Sequence, residues 1–398
     1  MPRSRRRTFF CTAIGLFLVG DTVLTSHRQR AQWLERIHFA DNESSFQEQA
    51  SQHNENLLAE NMGTTKQSRS LQVMENSFPP TAAMTTSPRA HIALSPSQQT
   101  NRPLKNKTLV VLMGDLRWGE PCWSSLQENL LNVNQADLAL LIQPPKPQYQ
   151  NSSLFDMAKY HWPVPQYENW LDALDIIMDN SSDWHDSFFD QALSVMHQDN
   201  ILLGPLKHYY NNTQHQFRGS AMIIFFYRYL LSQKIQELNL LQEYDWFVIT
   251  RTDHYYQCPH DSVTTMDPSV LYIPKGEDWL GLCDRHLVVS KERVLAALDI
   301  VPPLLRDPLQ YQSVLANPRG NSEMFLKIRL MEMQLPVRRF GRSMFIGAVE
   351  GDSTLWNNAT RWVPEGIKTK YPSEYKRSKG YCKWRREQEN NTTTTATM

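Results

Sequence analysis

Four short apolar runs constrain this chain more than any other feature. Leu109-Val110-Val111-Leu112-Met113, Trp246-Phe247-Val248-Ile249, Val270-Leu271-Tyr272-Ile273 and Leu287-Val288-Val289 are apolar at every position instead of alternate ones. A strand that is apolar on both sides is buried on both, so these runs predict a parallel or mixed sheet covered by helices. Two of them end abruptly in charge. The first gives way to Gly114-Asp115-Leu116-Arg117 and the second to Thr250-Arg251-Thr252-Asp253. Charged groups at the carboxyl end of a buried strand stand where open α/β sheets bind ligands.

The intervening segments supply the helices. Cys122 to Asn132, Trp170 to Met178, Lys291 to Asp299 and Met324 to Met333 carry apolar residues at helical spacing, the last behind an Asn321-Ser322-Glu323 start signal. Ala221 to Leu231 is apolar nearly all round but too short to span a bilayer, so it predicts a buried helix packed on the sheet. Ala136 to Gln143 reads as a further strand, and Pro336 to Phe340 and Met344 to Ile346 as closing strands. One domain over residues 105–385, with a disordered tail at 386–398, is the simplest partition.

The amino-terminal quarter has a different character. Arg3, Arg5, Arg6 and Arg7 precede an apolar run from Phe9 to Gly20. Residues 1–25 therefore read as a cytoplasmic tail and signal anchor, or else as a cleaved secretory signal. In either case the positive flank stays cytoplasmic and the rest becomes lumenal or secreted. Residues 26–104 are rich in Gln, Asn, Ser, Thr and Glu with few aromatics, and predict a disordered stem. Glycosylation sequons at Asn42, Asn106, Asn151, Asn180, Asn211 and Asn358 point to the same compartment.

Lysine plus arginine and aspartate plus glutamate number 41 each, which removes any bulk electrostatic case for nucleic acid. The cysteine spacing matches no zinc pattern. Among Cys122, Cys258, Cys283 and Cys382, a Cys258–Cys283 disulfide is expected because those two flank the central strand pair, contributing roughly 3 kcal/mol.

Tyr244 to Asp253, followed by Tyr272-Ile273-Pro274, Gly281-Leu282-Cys283-Asp284-Arg285 and the Glu323-led helix, resembles a group of GT-A-like glycosyltransferases. The likeness covers roughly residues 107–350. It implies a Rossmann-like α/β fold, a type II Golgi membrane protein, and transfer of a sugar from a nucleotide-sugar donor to a glycan or glycoprotein acceptor. In that group a strand ends in Arg-x-Asp and a downstream Asp-Arg pair opens the next strand, whereas GT-A enzymes usually carry an Asp-x-Asp element at the strand end that holds Mn²⁺ or Mg²⁺ against the donor diphosphate. Here Arg251 stands in the first position and only Asp253 remains. Asp253 is then a candidate metal ligand, a ribose partner, or simply the counter-ion of Arg251. A guanidinium at Arg251 can itself hold phosphate oxygens.

Gly114, Asp115, Arg117, Arg251 and Asp253 are the candidate donor-binding residues, and Glu323, Asp284 and Arg285 the candidate catalytic ones. For the base that accepts a hydroxyl proton, Asp278, Asp284 and Glu323 all qualify; Glu323 is assigned the base and Asp284 sugar or acceptor contact. A lumenal sugar-binding or adaptor protein that kept the fold is the rival reading, and the displaced first carboxylate favours it. A sulfo- or phosphotransferase is disfavoured because its glycine and lysine phosphate loop is missing.

Overall fold

A computed structural model describes residues 107–178, 184–210, 213–348 and 361–396. The expected anchor and stem, residues 1–25 and 26–104, lie outside them. In chain order the strands are β1 (Thr108–Met113), β2 (Asp137–Ile142), β3 (Ala158–Pro163), β4 (Lys207–Tyr210), β5 (Thr213–Gln216) and β6 (Trp246–Arg251). They continue with β7 (His254–Tyr256), β8 (Leu271–Pro274), β9 (His286–Ser290), β10 (Val337–Phe340), β11 (Met344–Ile346), β12 (Arg361–Trp362) and β13 (Lys368–Thr369).

Seven of these make one mixed sheet in the order β10-β8-β9-β6-β1-β2-β3. β1 is parallel to β2 and β6, β2 to β3, and β8 to β10, whereas β9 runs antiparallel to both of its neighbours. The continuous apolar character of the strands has the expected cause. Leu109, Val111, Phe247 and Ile249 enter one core, with Phe225 and Phe226 of the helix Ala221–Glu237. Val110, Leu112, Trp246 and Val248 enter the other, with Trp123 and Leu126 of the helix Glu120–Leu126. Because side chains alternate along a strand, both sets stay dry only if both faces are covered. Among the described residues no helix is long and apolar enough to cross a membrane.

The order of the strands positions the site. The chain steps outward from β1 to β2 and β3, then returns to lay β6 on the other side of β1. Two strands that diverge in this way leave a crevice at their carboxyl ends. The register pairs Met113 with Arg251, so the loops after β1 and β6 emerge side by side.

Two features differ from expectation. The disulfide joins Cys258 to Cys382, with Cα atoms 5.7 Å apart, and not Cys258 to Cys283. Cys122 and Cys283 are free and buried, and Cys283 Sγ sits 3.4 Å from an Arg342 nitrogen. Flanking the same strand pair does not bring two cysteines together; the return of the last helix does. That helix, Pro372–Ala396, also runs through the residues read as a tail from 386 onward. Its inward residues Glu374, Ser378 and Cys382 are largely polar, so no hydrophobic periodicity announces it.

Candidate functional site

β6 ends on Arg251, and Asp253 follows two residues later. Arg251 Nε donates to Asp253 Oδ1 at 2.8 Å and Nη2 to Oδ2 at 2.7 Å. The Asp253 side chain is buried at 2% exposure, while the Arg251 side chain keeps 30%. Burial pushes the Asp253 carboxyl up, yet Arg251 overrides it and holds the group well below the usual carboxylate range. Asp253 is thus the counter-ion of Arg251, with both oxygens engaged. Among the described residues no cluster of three or more His, Cys, Asp or Glu side chains could hold a metal ion.

The loop after β1 meets this pair through Thr252, whose hydroxyl donates to the carbonyl of Asp115. Gly114 has φ +107°, a conformation that suits glycine and turns the chain sharply away from the strand. Asp115 and Arg117 form a loose, largely exposed pair at 3.5 Å. Arg117 also helps keep Asp253 ionised.

The second group of charges hangs on the loop between β8 and β9. Gly276, Glu277, Trp279 and Leu280 all have positive φ, at 82°, 57°, 41° and 73°. Three of them are not glycine, and each such residue costs on the order of 1 kcal/mol, so the surroundings must impose the shape. Asp278 does part of this: its Oδ1 accepts from the Cys283 amide at 3.1 Å and from Arg339 at 2.5 Å. Asn321 does more, donating to the Trp279 carbonyl at 2.9 Å while its Oδ1 caps the helix Ser322–Glu332 through the Met324 amide. Gly281 lies so close to that helix that an added Cβ would stand 1.9 Å from the Glu323 carbonyl oxygen. The Leu282 amide donates to the same carbonyl at 3.0 Å. This tight seating brings Asp284 and Arg285 to Glu323.

Arg285 is the hub. Its Nη1 donates to Glu374 Oε1 at 3.0 Å. Nη2 lies 3.7 Å from Glu323 Oε1 and Nε 4.0 Å from Asp284 Oδ1, and the Tyr371 ring stacks 4.6 Å away. Its positive charge is felt by Arg251, and Tyr371 interacts electrostatically with both guanidiniums. Arg251, Asp253, Asp284, Arg285 and Glu323 therefore share one neighbourhood. Burial, reinforced by Asp284 and opposed by Arg285, pushes the Glu323 carboxyl up to about 8. Such a carboxyl keeps its proton at neutral pH and becomes a strong base once ionised.

Several members of the site carried no signal in the sequence. Arg342 donates to Glu374 Oε1 at 3.0 Å and to the carbonyls of Lys275 and Gly276 at 3.0 and 2.8 Å. Arg228, fully buried on the helix Ala221–Glu237, donates Nη2 to the Asp284 carbonyl at 2.9 Å, while its Nε and Nη1 have no partner among the described residues. Burial lowers its hold on the proton.

Beneath the Arg251–Asp253 pair lies a chain of buried imidazoles whose direction can be deduced. His260 Nδ1 sits 2.7 Å from the Asp261 carbonyl and must donate. Burial depresses the pKa of His260, His286 and His254, the last to about 3, so all three are neutral. His260 Nε2 then accepts from His286 Nε2 at 3.2 Å, and His286 Nδ1 accepts from the Thr250 hydroxyl at 3.0 Å. With its proton used, Thr250 accepts from His254 Nδ1 at 2.8 Å and from the Tyr256 hydroxyl at 3.2 Å. Every step follows from the one before.

An open cleft of 440 Å³ lined by Glu168, Asp172, Lys207 and Tyr209 includes none of these residues. Compared with known proteins, the chain matches no protein-family model and no curated protein.

Proposed function

We propose that the protein is a GT-A-like glycosyltransferase that moves a sugar from a nucleotide-sugar donor to a hydroxyl of a glycan or glycoprotein. The observation that carries this is the meeting of Arg251 and Arg285 with Asp284 and Glu323 at the carboxyl end of the sheet, beside the β1–β6 crevice. Guanidiniums suit the two negative charges of a leaving diphosphate, and carboxylates suit the hydroxyls of sugars. In this reading Gly114, Asp115 and Arg117 border the nucleotide, and Arg251 and Arg285 hold the phosphate oxygens. Asp284 orients donor or acceptor hydroxyls.

Glu323, in its ionised form, takes the proton. As the acceptor oxygen bonds to the anomeric carbon, the bond to the diphosphate breaks. The acceptor proton passes to Glu323, and the new negative charge stays on the diphosphate between the two arginines. Full engagement of Asp253 by Arg251 favours charge neutralisation by arginine over a bound Mn²⁺ or Mg²⁺. A disulfide from Cys258 to Cys382 accords with a Golgi-lumenal or secreted domain. The type II membrane anchor belongs to the same proposal.

The test is hydrolysis or transfer by the purified protein across a panel of nucleotide sugars, with and without a chelator. Turnover that survives chelation and disappears in Arg285→Lys is expected. Binding of a glycan without turnover of any donor would favour the second reading, a lumenal sugar-binding or adaptor protein. The closed Arg251–Asp253 pair is the observation on that side.

A further inference from the structure

We propose that the C-terminal helix is a working part of the site. Glu374 acts as a positioning residue that aims the Arg285 guanidinium at an anionic group, and the Cys258–Cys382 bond keeps the helix in the register this needs. The anionic group rests on the diphosphate reading above; the aiming of Arg285 does not.

Glu374 is completely buried, and its carboxylate is well supplied. Oε1 accepts from Arg285 and from Arg342, each at 3.0 Å, and Oε2 from the Ile346 amide at 2.8 Å. Arg342 in turn grips the carbonyls of Lys275 and Gly276, at the start of the strained loop that ends in Asp284 and Arg285. One carboxylate thus ties the loop to β11. Among the described residues the carboxylate hydrogen-bonded to Arg285 is this one; its contacts to Glu323 and Asp284, at 3.7 and 4.0 Å, are longer than hydrogen bonds. Glu374 therefore determines where the remaining N–H groups of Arg285 point.

Apart from Tyr375, whose ring meets Phe345 at 5.3 Å, the helix that carries Glu374 has little apolar grip. Its inward face is pinned mostly by polar contacts to the segment after β7. The Ser378 hydroxyl bonds Gln257, the Tyr381 hydroxyl donates to Asp261 at 2.7 Å, and Arg385 bonds the Pro259 carbonyl and reaches Asp261 at 3.3 Å. Glu374, Ser378, Tyr381, Cys382 and Arg385 recur at helical spacing on that face. Polar partners at such spacing can be exchanged for those one turn away, whereas the covalent bond at Cys382 cannot. Register, and with it the place of Glu374, follows from the disulfide.

The experiment uses the full chain and the variants Glu374→Gln, Glu374→Asp, Arg285→Lys and the double variant C258S/C382S. Nitrogen-15 NMR of the guanidinium groups, with Arg285 identified through R285K, gives the first readout. Expected are resolved, slowly rotating Arg285 signals in the parent protein and in E374D. In E374Q and in C258S/C382S they should collapse to the average of a free arginine, while valine methyl signals from β6 and β9 stay put. Calorimetric titration with inorganic pyrophosphate gives the second readout, with affinity expected to fall at least tenfold in E374Q and to recover partly in E374D. Removing a nearby negative charge by itself would tighten pyrophosphate binding, so tighter binding in E374Q overturns the proposal. So do Arg285 signals that are indifferent to Glu374 and to the disulfide. If the signals respond as expected and the parent protein does not bind pyrophosphate, the diphosphate reading falls and the aiming of Arg285 by Glu374 stands.

Discussion

Replacing Glu323 by glutamine should make the protein more stable at high pH, although the residue is buried in the site. Glu323 is 7% exposed, faces Asp284, and has Arg285 only at 3.7 Å. Its carboxyl rises from an ordinary 4.5 to about 8. Between those values the folded chain holds a proton that the unfolded chain has released, so stability must fall as pH rises through this window. Its contribution is fully present below 4.5 and lost above 8. At about 1.4 kcal/mol per pH unit the loss reaches on the order of 5 kcal/mol. Relaxation of the buried site and entry of water on ionisation recover part of this, which leaves about 2–3 kcal/mol.

Glutamine copies the shape of the protonated form and cannot ionise. Glu323→Gln should therefore match the parent at pH 5 and exceed it by about 2–3 kcal/mol at pH 9. Urea unfolding at pH 5, 7 and 9 measures this directly. Parallel curves for the two proteins at every pH would mean that Glu323 ionises like an exposed carboxylate, and its assignment as a tuned base would go with that. If the site transfers sugar, the same variant loses turnover despite its greater stability.

Asp253→Asn removes the counter-ion of Arg251 and should cost about 2 kcal/mol, less than a fully buried pair because the Arg251 side chain is partly exposed. A thermal melt indistinguishable from the parent would show that the pair is not formed. Gly281→Ala places a methyl 1.9 Å from the Glu323 carbonyl oxygen and should cost more than about 2 kcal/mol, with the loop displaced from the helix. A neutral result in denaturant would mean that the loop is seated elsewhere. His254 should carry its proton on Nδ1 and stay neutral from pH 8 to pH 5, since burial holds it near 3. Imidazole nitrogen-15 shifts that place the proton on Nε2 would break the deduced chain at its last link.

How much of this was legible beforehand depended on whether the signal was local. The strands could be read because complete burial leaves apolar residues at every position, Arg251 and Asp253 because charge follows such a run, and Asp284 and Arg285 because they open the next one. Glu323 was marked by its place at a helix start. Glu374, Arg342 and Arg228 gave no such sign. A charged residue in a polar stretch looks solvated, and only the packing around it shows that it is buried. The disulfide was misassigned for a related reason: the distance between Cys258 and Cys382 depends on where a polar helix lands after the sheet has closed.

The chain alone determined that a doubly covered sheet would form, since no other arrangement keeps strands apolar on both sides out of water. It also determined that charge would collect at their carboxyl ends. Tertiary structure decided which charges meet. Arg251 closes on Asp253, and Arg285 is shared among Glu374, Glu323 and Asp284. Such pairings are set by distances of a few ångströms between segments far apart in sequence, and electrostatic partners carry no periodicity from which those distances can be read.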